Sequence, residues 1–275
     1  MDLSFGDLRG KCVIITGGGG VLCRSFATAF AQVGARVALL DIREDKADEA
    51  AVAVGGETIG VECDVLSAES LESALATVRD RLGPVDILVN GAGGNAAGAT
   101  TERERLTDKS ELEKSFYSLG LPDFERTFDL NFIGTFLPSQ KLTPDMVERG
   151  EGVIINISSM NAFRPLSKIP AYSAAKAAVS NFTEWLAVHL APAGIRVNAI
   201  APGFYLTEQL RFLALDESGE WTPRYQNVLA QTPMGRLGDP DELQGVLLFL
   251  ASRLSSFVTG TVIPVDGGFN ANSGV

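Results

Sequence analysis

Short apolar runs alternate along the chain with longer stretches in which apolar residues recur at helical spacing. Seven runs are continuous enough in aliphatic and β-branched residues to predict strands, at 12–16, 36–40, 59–63, 86–90, 153–157, 195–200 and 261–265. Such runs are typical of parallel strands that are covered on both sides. The pattern therefore predicts an α/β fold, a Rossmann-type, doubly wound, seven-stranded parallel sheet with helices on both faces.

The stretches between the strands carry the signals expected of crossover helices. One helix is predicted after the first glycine run, another over 44–54, and a third over 67–82, with Ser67 as its cap and Gly83 after its end. The 275 residues contain no linker, internal repeat or low-complexity tract. Residues 1–275 are therefore expected to form a single domain.

Two segments, 95–121 and 204–238, depart from the alternation. The first carries many charges, and the second mixes aromatic residues with turn residues. Both follow the carboxyl ends of predicted strands, the edge at which ligands bind in such sheets. Because long loops are uncommon unless they are functional, we expect both to cover a substrate site; mobile surface insertions are the alternative.

The composition narrows the possible partners. A net charge of −11 and a pI of about 4.7 disfavour nucleic acid and anionic membranes. No apolar run is long enough for a membrane span, and residues 1–5 lack signal-peptide features, so a cytoplasmic protein is expected. Cys12, Cys23 and Cys63 have no C-x-x-C spacing, and His189 is the only histidine. We therefore predict no metal site.

A glycine run, Gly17 to Gly20, separates the first strand from the first helix. Glycines there let the backbone approach a pyrophosphate, and the helix N-terminus supplies N–H donors. Asp41 closes the second strand, where a carboxylate accepts hydrogen bonds from the adenosine ribose and repels a 2′-phosphate. The pattern favours NAD(H) over NADP(H), although Arg24 or Arg43 could reverse this preference.

Asp64 follows the third predicted strand. It is placed to bind the adenine amino group, and a cap for the following helix is the alternative interpretation.

A second motif begins where the run 153–157 ends. Tyr172 and Lys176 stand four residues apart, so on a helix they share one face. A lysine ammonium beside a phenol lowers the tyrosine pKa, which suits acid–base chemistry near neutral pH. The hydroxyls of Ser158 and Ser159 lie at the predicted mouth of the strand. Taken alone, the Tyr/Lys pair could equally be a chance pair on a solvated helix.

Several motifs occur in one order along the whole chain: Thr16-Gly17, Asp64-Val65, Asn90 to Gly93, Asn131, Ser159, Tyr172, Lys176 and Pro202-Gly203. In this the chain resembles the short-chain dehydrogenase/reductase family. The resemblance implies an oxidoreductase that passes a hydride between a nicotinamide and a carbinol carbon without a metal. It also implies a catalytic set of Asn131, Ser159, Tyr172 and Lys176.

The resemblance implies a role for each member of this set. Tyr172 would exchange a proton with the substrate oxygen, and Lys176 would lower its pKa and hold the nicotinamide ribose. Ser159 would donate to the substrate oxygen; the thirteen-residue separation from Tyr172 selects it over Ser158. Asn131 would anchor a proton-relaying water chain.

The resemblance also implies a set of cofactor contacts. They are Gly17, Gly20, Val21, Leu22, Asp41, Asp64, Val65, Asn90, Gly91, Ala92, Tyr172, Lys176, Pro202, Gly203 and Thr207. Three positions depart from the family pattern. Val21 and Cys23 stand where the fingerprint has glycines, and Gly91 stands where a second asparagine is usual. We expect the glycines at 18–20 to compensate by approaching the phosphates earlier in the turn.

Stretches 89–95, 157–165, 201–209 and 267–275 are similar to a narrower group, the D-mannonate oxidoreductases (fructuronate reductases), close to the gluconate 5-dehydrogenases. A sugar-acid substrate is therefore expected, with another polyol or ketose as the alternative. Two cations between Ser159 and Tyr172, Arg164 and Lys168, suit its carboxylate. Asn95, Asn161 and Gln209 could bind sugar hydroxyls. Each of these five could equally be a surface or turn residue.

Two further expectations concern assembly and activity. The family resemblance implies a homotetramer, with helices around 124–147 and 174–190 pairing across two-fold axes. A non-catalytic NAD-binding scaffold is the alternative to an enzyme, but Asn131, Ser159, Tyr172 and Lys176 are all present, which favours the enzyme.

Overall fold

The computed structural model describes residues 4–206, 214–215 and 218–273. Its seven strands form one parallel sheet in the order β3-β2-β1-β4-β5-β6-β7. Their bounds are β1 Cys12–Thr16, β2 Arg36–Asp41, β3 Thr58–Glu62, β4 Ile87–Asn90, β5 Gly152–Ile157, β6 Ile195–Pro202 and β7 Val262–Val265. The predicted fold class is confirmed. The sixth strand runs two residues beyond its predicted end because Ala201 and Pro202 still pair with β7.

Nine α-helices of the described ranges surround the sheet. They are α1 Val21–Gln32, α2 Glu44–Val54, α3 Ala68–Leu82, α4 Leu121–Phe128, α5 Gly134–Lys141, α6 Pro144–Arg149, α7 Pro170–Leu190, α8 Pro223–Gln231 and α9 Gln244–Ala251. As predicted, Ser67 caps α3, and its hydroxyl accepts a hydrogen bond from Ser70 N (3.2 Å). No helix in these ranges is both long and apolar enough to cross a membrane.

Two hydrophobic layers enclose the sheet because successive strand residues face opposite sides. Val13 and Ile15 pack in one layer, which includes Phe26 of α1. Ile14 packs in the other, which includes Leu71 of α3. This burial on both faces explains why the strands are continuous apolar runs and why the sequence predicts them so closely.

The strand order reverses beside β1, which lies between β2 and β4. In a doubly wound sheet, the carboxyl edge at such a reversal opens a crevice for ligands. The turns after β1, β4, β5 and β6 therefore meet at one edge of the sheet. Segment 95–121 contributes short 3₁₀ turns beyond β4, and segment 204–238 contributes α8 beyond β6. That these segments cover a substrate stays a prediction.

Candidate active site

The glycine turn after β1 approaches its neighbours too closely for side chains. Gly17 has φ +69°, and a Cβ added to it would lie 2.8 Å from Ala92 Cα. Gly20 precedes the first turn of α1, so the N–H groups of Val21 and Leu22 have no intrahelical acceptor. A close-approaching backbone beside free N–H donors suits an anionic group such as a pyrophosphate.

Asp41 lies beside this turn, at the end of β2. One carboxylate oxygen accepts a hydrogen bond from Gly19 N (2.9 Å), and the other accepts from Arg43 N (3.1 Å). The main chain thus holds a negative charge against the glycine turn. The side chains of Arg24 and Arg43 are exposed, and neither forms an ion pair with a described residue.

Asp64 does not cap α3, because Ser67 does. Its Oδ1 instead accepts a hydrogen bond from Leu66 N (2.9 Å), which fixes the carboxylate before the helix begins. Asp64, Ser67 and Ile42 line a cleft of about 440 Å³ beside the ends of β2 and β3. An adenine contact by Asp64 stays a prediction. The neighbouring Val65 side chain is buried, next to Gly134.

Asn90 lies within the sheet layer and not in the open crevice. Its amide donates to Ser139 Oγ (2.9 Å) and to Asn156 Oδ1 (2.8 Å), and Asn156 donates onward to Thr183 Oγ1 (2.9 Å). This buried network ties β4 and β5 to α5 and α7. Ser139, Asn156 and Thr183 were missed from the sequence, although an asparagine in the apolar run 153–157 was a usable signal.

The turn after β4 is tied directly to β1. The Thr16 hydroxyl accepts hydrogen bonds from Gly91 N (3.1 Å) and Ala92 N (3.2 Å). Sequence reasoning treated Thr16 only as part of a motif. In the structure it joins the two turns that hold most of the predicted cofactor contacts.

Lys176 is buried, with 4% of its surface exposed. Its ammonium donates to Ile157 O at the end of β5 (2.7 Å) and lies 5.6 Å from the centre of the Tyr172 ring. Ser158 binds the same helix, since its hydroxyl donates to Lys176 O (3.2 Å) and lies 2.7 Å from Ser180 Oγ. Ser158 therefore fastens α7 to β5, which leaves Ser159 as the serine beside Tyr172.

The pKa values of this pair differ from the sequence-based expectation. Burial raises the pKa of Tyr172, and a hydrogen bond with Ser159 opposes this rise. Burial lowers the pKa of Lys176 to about 8. The expected lowering of the Tyr172 pKa by Lys176 is thus not the net result, because desolvation of the phenol outweighs the hydrogen bond with Ser159. Ser159 also accepts a hydrogen bond from Asn161 N (3.2 Å), which fixes its position.

Asn131 lies in a π-helical turn, Asp129–Ile133, that joins α4 to α5. The family resemblance implied helix around 124–147 and gave no sign of this turn. The amide of Asn131 donates to Gly94 O (2.6 Å) and Thr127 O (2.7 Å), and its Oδ1 accepts from Gly94 N (3.3 Å). The wider turn thus lets Asn131 bind the loop after β4.

Gly93 lies between the two polar groups of the predicted catalytic set. A Cβ added to Gly93 would lie 2.6 Å from Asn131 Oδ1 and 3.3 Å from Lys176 Nζ. The structure therefore brings Asn131, Ser159, Tyr172 and Lys176 to one edge of the sheet, although they come from separate segments of the chain.

The turn after β6 supplies another wall of the crevice. Pro202 ends β6, and Gly203 N donates to Val265 O (3.0 Å). A Cβ on Gly203 would lie 2.6 Å from Asp266 Cα, so this position also needs a glycine. Thr207 and Gln209, a predicted cofactor contact and a predicted substrate contact, lie outside the described residues.

The cations expected at the substrate lie in the loop between Ser159 and Tyr172. Arg164 is exposed and Lys168 is half-buried, and neither has a carboxylate partner within the described ranges. Lys168 O accepts a hydrogen bond from Thr101 N (2.9 Å), which connects this loop to segment 95–121.

The two predicted amide ligands differ in their surroundings. Asn95 is exposed, and its amide donates to Ala96 O (2.9 Å) and Thr100 Oγ1 (2.7 Å). Its donors therefore stabilise a local turn. Asn161 is buried, and among the described residues its Oδ1 has no hydrogen-bond partner. Because this oxygen is closed to solvent here, its contact with a substrate hydroxyl stays a prediction.

Comparisons with known proteins agree with this geometry. Residues 21–270 match a family model described as enoyl-(acyl carrier protein) reductase. An uncharacterised oxidoreductase of Haemophilus influenzae is 47% identical over 98% of this chain and 96% of its own length. The Bacillus subtilis oxidoreductase UxuB, also uncharacterised, is 45% identical over 98% of both chains. The chain belongs to the short-chain dehydrogenase/reductase family.

A crystal structure supports the same family assignment. It is of a Haemophilus influenzae protein provisionally described as a D-mannonate oxidoreductase, with bound NAD. It is 46% identical, covers 98% of this chain and 99% of its own, and superposes with a TM-score of 0.93. The predicted enzyme class, an oxidoreductase of the short-chain dehydrogenase/reductase family, is confirmed.

This short-chain dehydrogenase/reductase site has the parts that a dinucleotide needs. Its glycine turn excludes side chains, α1 presents free N–H donors, and Asp41 is held where a ribose would lie in such a fold. Across the described part of the chain, no cluster of three His, Cys, Asp or Glu side chains is placed to hold a metal ion.

Proposed function

We propose that this protein is an NAD(H)-dependent oxidoreductase that acts on a sugar acid, with D-mannonate and D-fructuronate as the substrate pair. The observation that carries the proposal is the position of Arg164. It is an exposed cation with no carboxylate partner among the described residues, on the loop between Ser159 and Tyr172. The relative provisionally described as a D-mannonate oxidoreductase with bound NAD supports both the cofactor and the substrate class.

The cofactor preference rests on Asp41. The main-chain bonds to its carboxylate hold a negative charge where it can accept from ribose hydroxyls and repel a 2′-phosphate. When bound, the nicotinamide supplies or accepts the hydride. The turn from Gly17 to Leu22 binds the pyrophosphate, and Lys176 binds the nicotinamide ribose.

Tyr172 moves the proton. During reduction it donates to the carbonyl oxygen of the substrate, and during oxidation it takes the proton from the alcohol. Ser159, already within hydrogen-bonding reach of Tyr172, orients the substrate oxygen. Asn131 keeps the loop after β4 in place beside Lys176 and anchors the path by which the proton is replaced.

Arg164 and Lys168 bind the carboxylate. In a protein with a net charge of −11, an anionic substrate needs cations placed locally, and these two are not engaged by carboxylates of the described chain. Asn161 accepts a hydrogen bond from a substrate hydroxyl through its Oδ1, which has no partner among the described residues and which substrate binding must uncover.

The test compares substrates that differ in one feature. D-Fructuronate and D-fructose differ in whether a carboxylate or a hydroxymethyl group ends the chain. With NADH, kcat/KM for fructuronate is expected to be at least about 100-fold higher, because the cations would otherwise lose their partner. D-Tagaturonate and 5-ketogluconate complete the panel, and NADPH replaces NADH in a parallel series.

Each other outcome points to a different function. Preference for 5-ketogluconate would indicate a gluconate 5-dehydrogenase-like enzyme. Equal rates with fructose would indicate a polyol or ketose reductase and would contradict the carboxylate role. NADH binding without turnover of any substrate would indicate a scaffold.

We also propose a homotetramer. An aromatic face on α5 and α7 supports it: Trp185 is 57% exposed and stacks on His189 at 5.0 Å, and Phe136 and Val147 are exposed beside them. An apolar face of this kind is costly in water unless a second copy covers it. Light scattering should give four times the chain mass, and Trp185→Asp should reduce it. A monomeric wild-type protein would contradict the proposal.

A further inference from the structure

The turns at residues 16–20 and 90–93 lie side by side and line the crevice at the carboxyl edge of the sheet, here called the dinucleotide cleft. The Thr16 hydroxyl accepts from the N–H groups of Gly91 and Ala92, and Gly17 approaches Ala92 so closely that no side chain fits between them. The main chains of the two turns are therefore in direct contact. In such close packing, an atom added between them must push them apart.

A thiol fills the remaining space between the two turns. Cys23 lies in the first turn of α1 and is 5% exposed, and its Sγ donates to Thr16 O at 3.4 Å. A Cβ added to Gly91 would overlap this sulfur and would lie 2.8 Å from Thr16 O. The sulfur thus occupies the volume that a side chain at position 91 would need.

The chemistry of the thiol suits packing. Burial raises the pKa of Cys23 to about 12, so the group stays protonated and remains a donor to Thr16 O. A buried, protonated thiol behaves as a small hydrophobic group with a weak S–H donor.

Both positions depart from the family pattern, which has glycine at position 23 and asparagine at position 91. This chain has a cysteine at position 23 and a glycine at position 91. The overlap between the Cys23 sulfur and a Gly91 Cβ connects the two departures physically, because a side chain at position 91 does not fit beside Cys23.

We propose that Cys23 and Gly91 are a compensating pair that sets the spacing of the dinucleotide cleft, with Cys23 as a positioning residue for the pyrophosphate turn. The proposal rests on the proposed NAD(H) function. Its observable consequence is that the effects of the two positions on dinucleotide affinity are coupled.

The test is a double-mutant cycle of Cys23→Ala, Gly91→Ala and the double variant. Calorimetric titration gives Kd for NADH and for ADP-ribose, which keeps the pyrophosphate but lacks the nicotinamide. Gly91→Ala is expected to raise both Kd values about 10-fold and Cys23→Ala about threefold. In the double variant the new methyl no longer meets the sulfur and only its contact with Thr16 O remains, so both Kd values should lie at least about fivefold below the product of the single effects.

Cys12→Ala is the matched control, because Cys12 is a fully buried thiol at the opposite end of β1. It is expected to lower Tm without changing either Kd. If Gly91→Ala folds only in the Cys23→Ala background, that rescue also supports the pair.

Independent effects of the two substitutions on Kd would overturn the proposal. So would a loss of NADH affinity without loss of ADP-ribose affinity, because a displaced pyrophosphate turn must weaken both ligands. Failure of the wild-type protein to bind NADH would overturn the proposed function, and this proposal with it.

Discussion

The dinucleotide cleft is built from main chain, whereas the substrate side, the loop 159–168 with residues 95–101, presents free side-chain ends. In the cleft, Gly17 contacts Ala92 and backbone N–H groups hold the Asp41 carboxylate. On the substrate side, Arg164 is exposed and forms no ion pair with a described residue, and the buried Asn161 Oδ1 has no partner among those residues. Where main-chain atoms are in contact, a substitution that adds side-chain atoms has no room. An exposed side chain on a loop can be replaced without moving the loop. One fold can therefore keep its cofactor while its substrates vary.

Tyr172→Phe tests the boundary between the two regions. Among the variants considered, it should cause the largest loss of activity. Loss of the phenolic proton is expected to lower kcat by about 10³-fold, near the upper range of acid–base contributions. Kd for NADH should stay within about twofold, since the cleft walls are untouched. Steady-state kinetics and NADH titration check the two halves of the prediction. Substantial residual turnover would contradict a proton-transfer role for Tyr172.

Gly17→Ala tests the rigidity of the cleft. The added methyl meets Ala92 Cα, so Kd for NADH is expected to rise at least about 10-fold through displacement of the turn. Gly55→Ala is the matched control: Gly55 has a similar φ of +72°, but no atom lies within 4 Å of its added Cβ. That variant should lose stability through backbone strain and keep its NADH affinity. Equal losses of affinity in both variants would show that strain, and not the contact, matters.

Arg164→Ala tests the substrate side. It should affect the enzyme less than Gly17→Ala does, because it removes an exposed side chain without disturbing the loop. KM for a sugar acid is expected to rise about 10-fold, the loss of a charge-assisted hydrogen bond, and KM for a neutral polyol should barely change. Arg81→Ala, at an exposed arginine of α3, serves as the control. Equal effects of Arg164→Ala on both substrates would remove Arg164 from the carboxylate site.

Lys176 offers a test of the buried edge of the cleft through the pH dependence of stability. Its pKa is lowered by burial to about 8 in the folded protein, against 10.5 as the ordinary value. Between these two values the unfolded chain binds the additional proton, so this residue makes stability rise as the pH increases. Denaturant unfolding at pH 8 and pH 10 should show that Lys176→Met loses this contribution. An unchanged pH slope in the variant would mean that the buried ammonium is not destabilised.

The strands were predictable because each must bury both faces, and an apolar run such as 153–157 records that requirement directly. The glycine turn was equally predictable from the sequence, since only glycine permits the approach of Gly17 to Ala92. Asn131 was identified through the resemblance, but not its π-helical turn. That turn is formed by tertiary hydrogen bonds from Asn131 to the loop after β4, which helical periodicity does not show.

Other features depended on the tertiary surroundings of a residue. The sequence suggested that Lys176 would lower the pKa of Tyr172, but the depth of burial decides the direction, and depth depends on all surrounding elements. The hydrogen-bond partners of Asn90 come from β5 and α5, so its amide is buried inside the fold. Those of Asn95 come from its own turn, so its amide lies at the surface.

The sequence by itself determined the α/β class and the number of strands, because burial and glycine geometry are local properties; the candidate catalytic set came from the family resemblance. Only the tertiary structure decided which groups meet. It placed Ser158 against α7, brought Gly93 between Asn131 and Lys176, and set the Cys23 sulfur in the space beside Gly91. Each of these contacts joins segments far apart in the chain, and close packing, not sequence spacing, determines their distances.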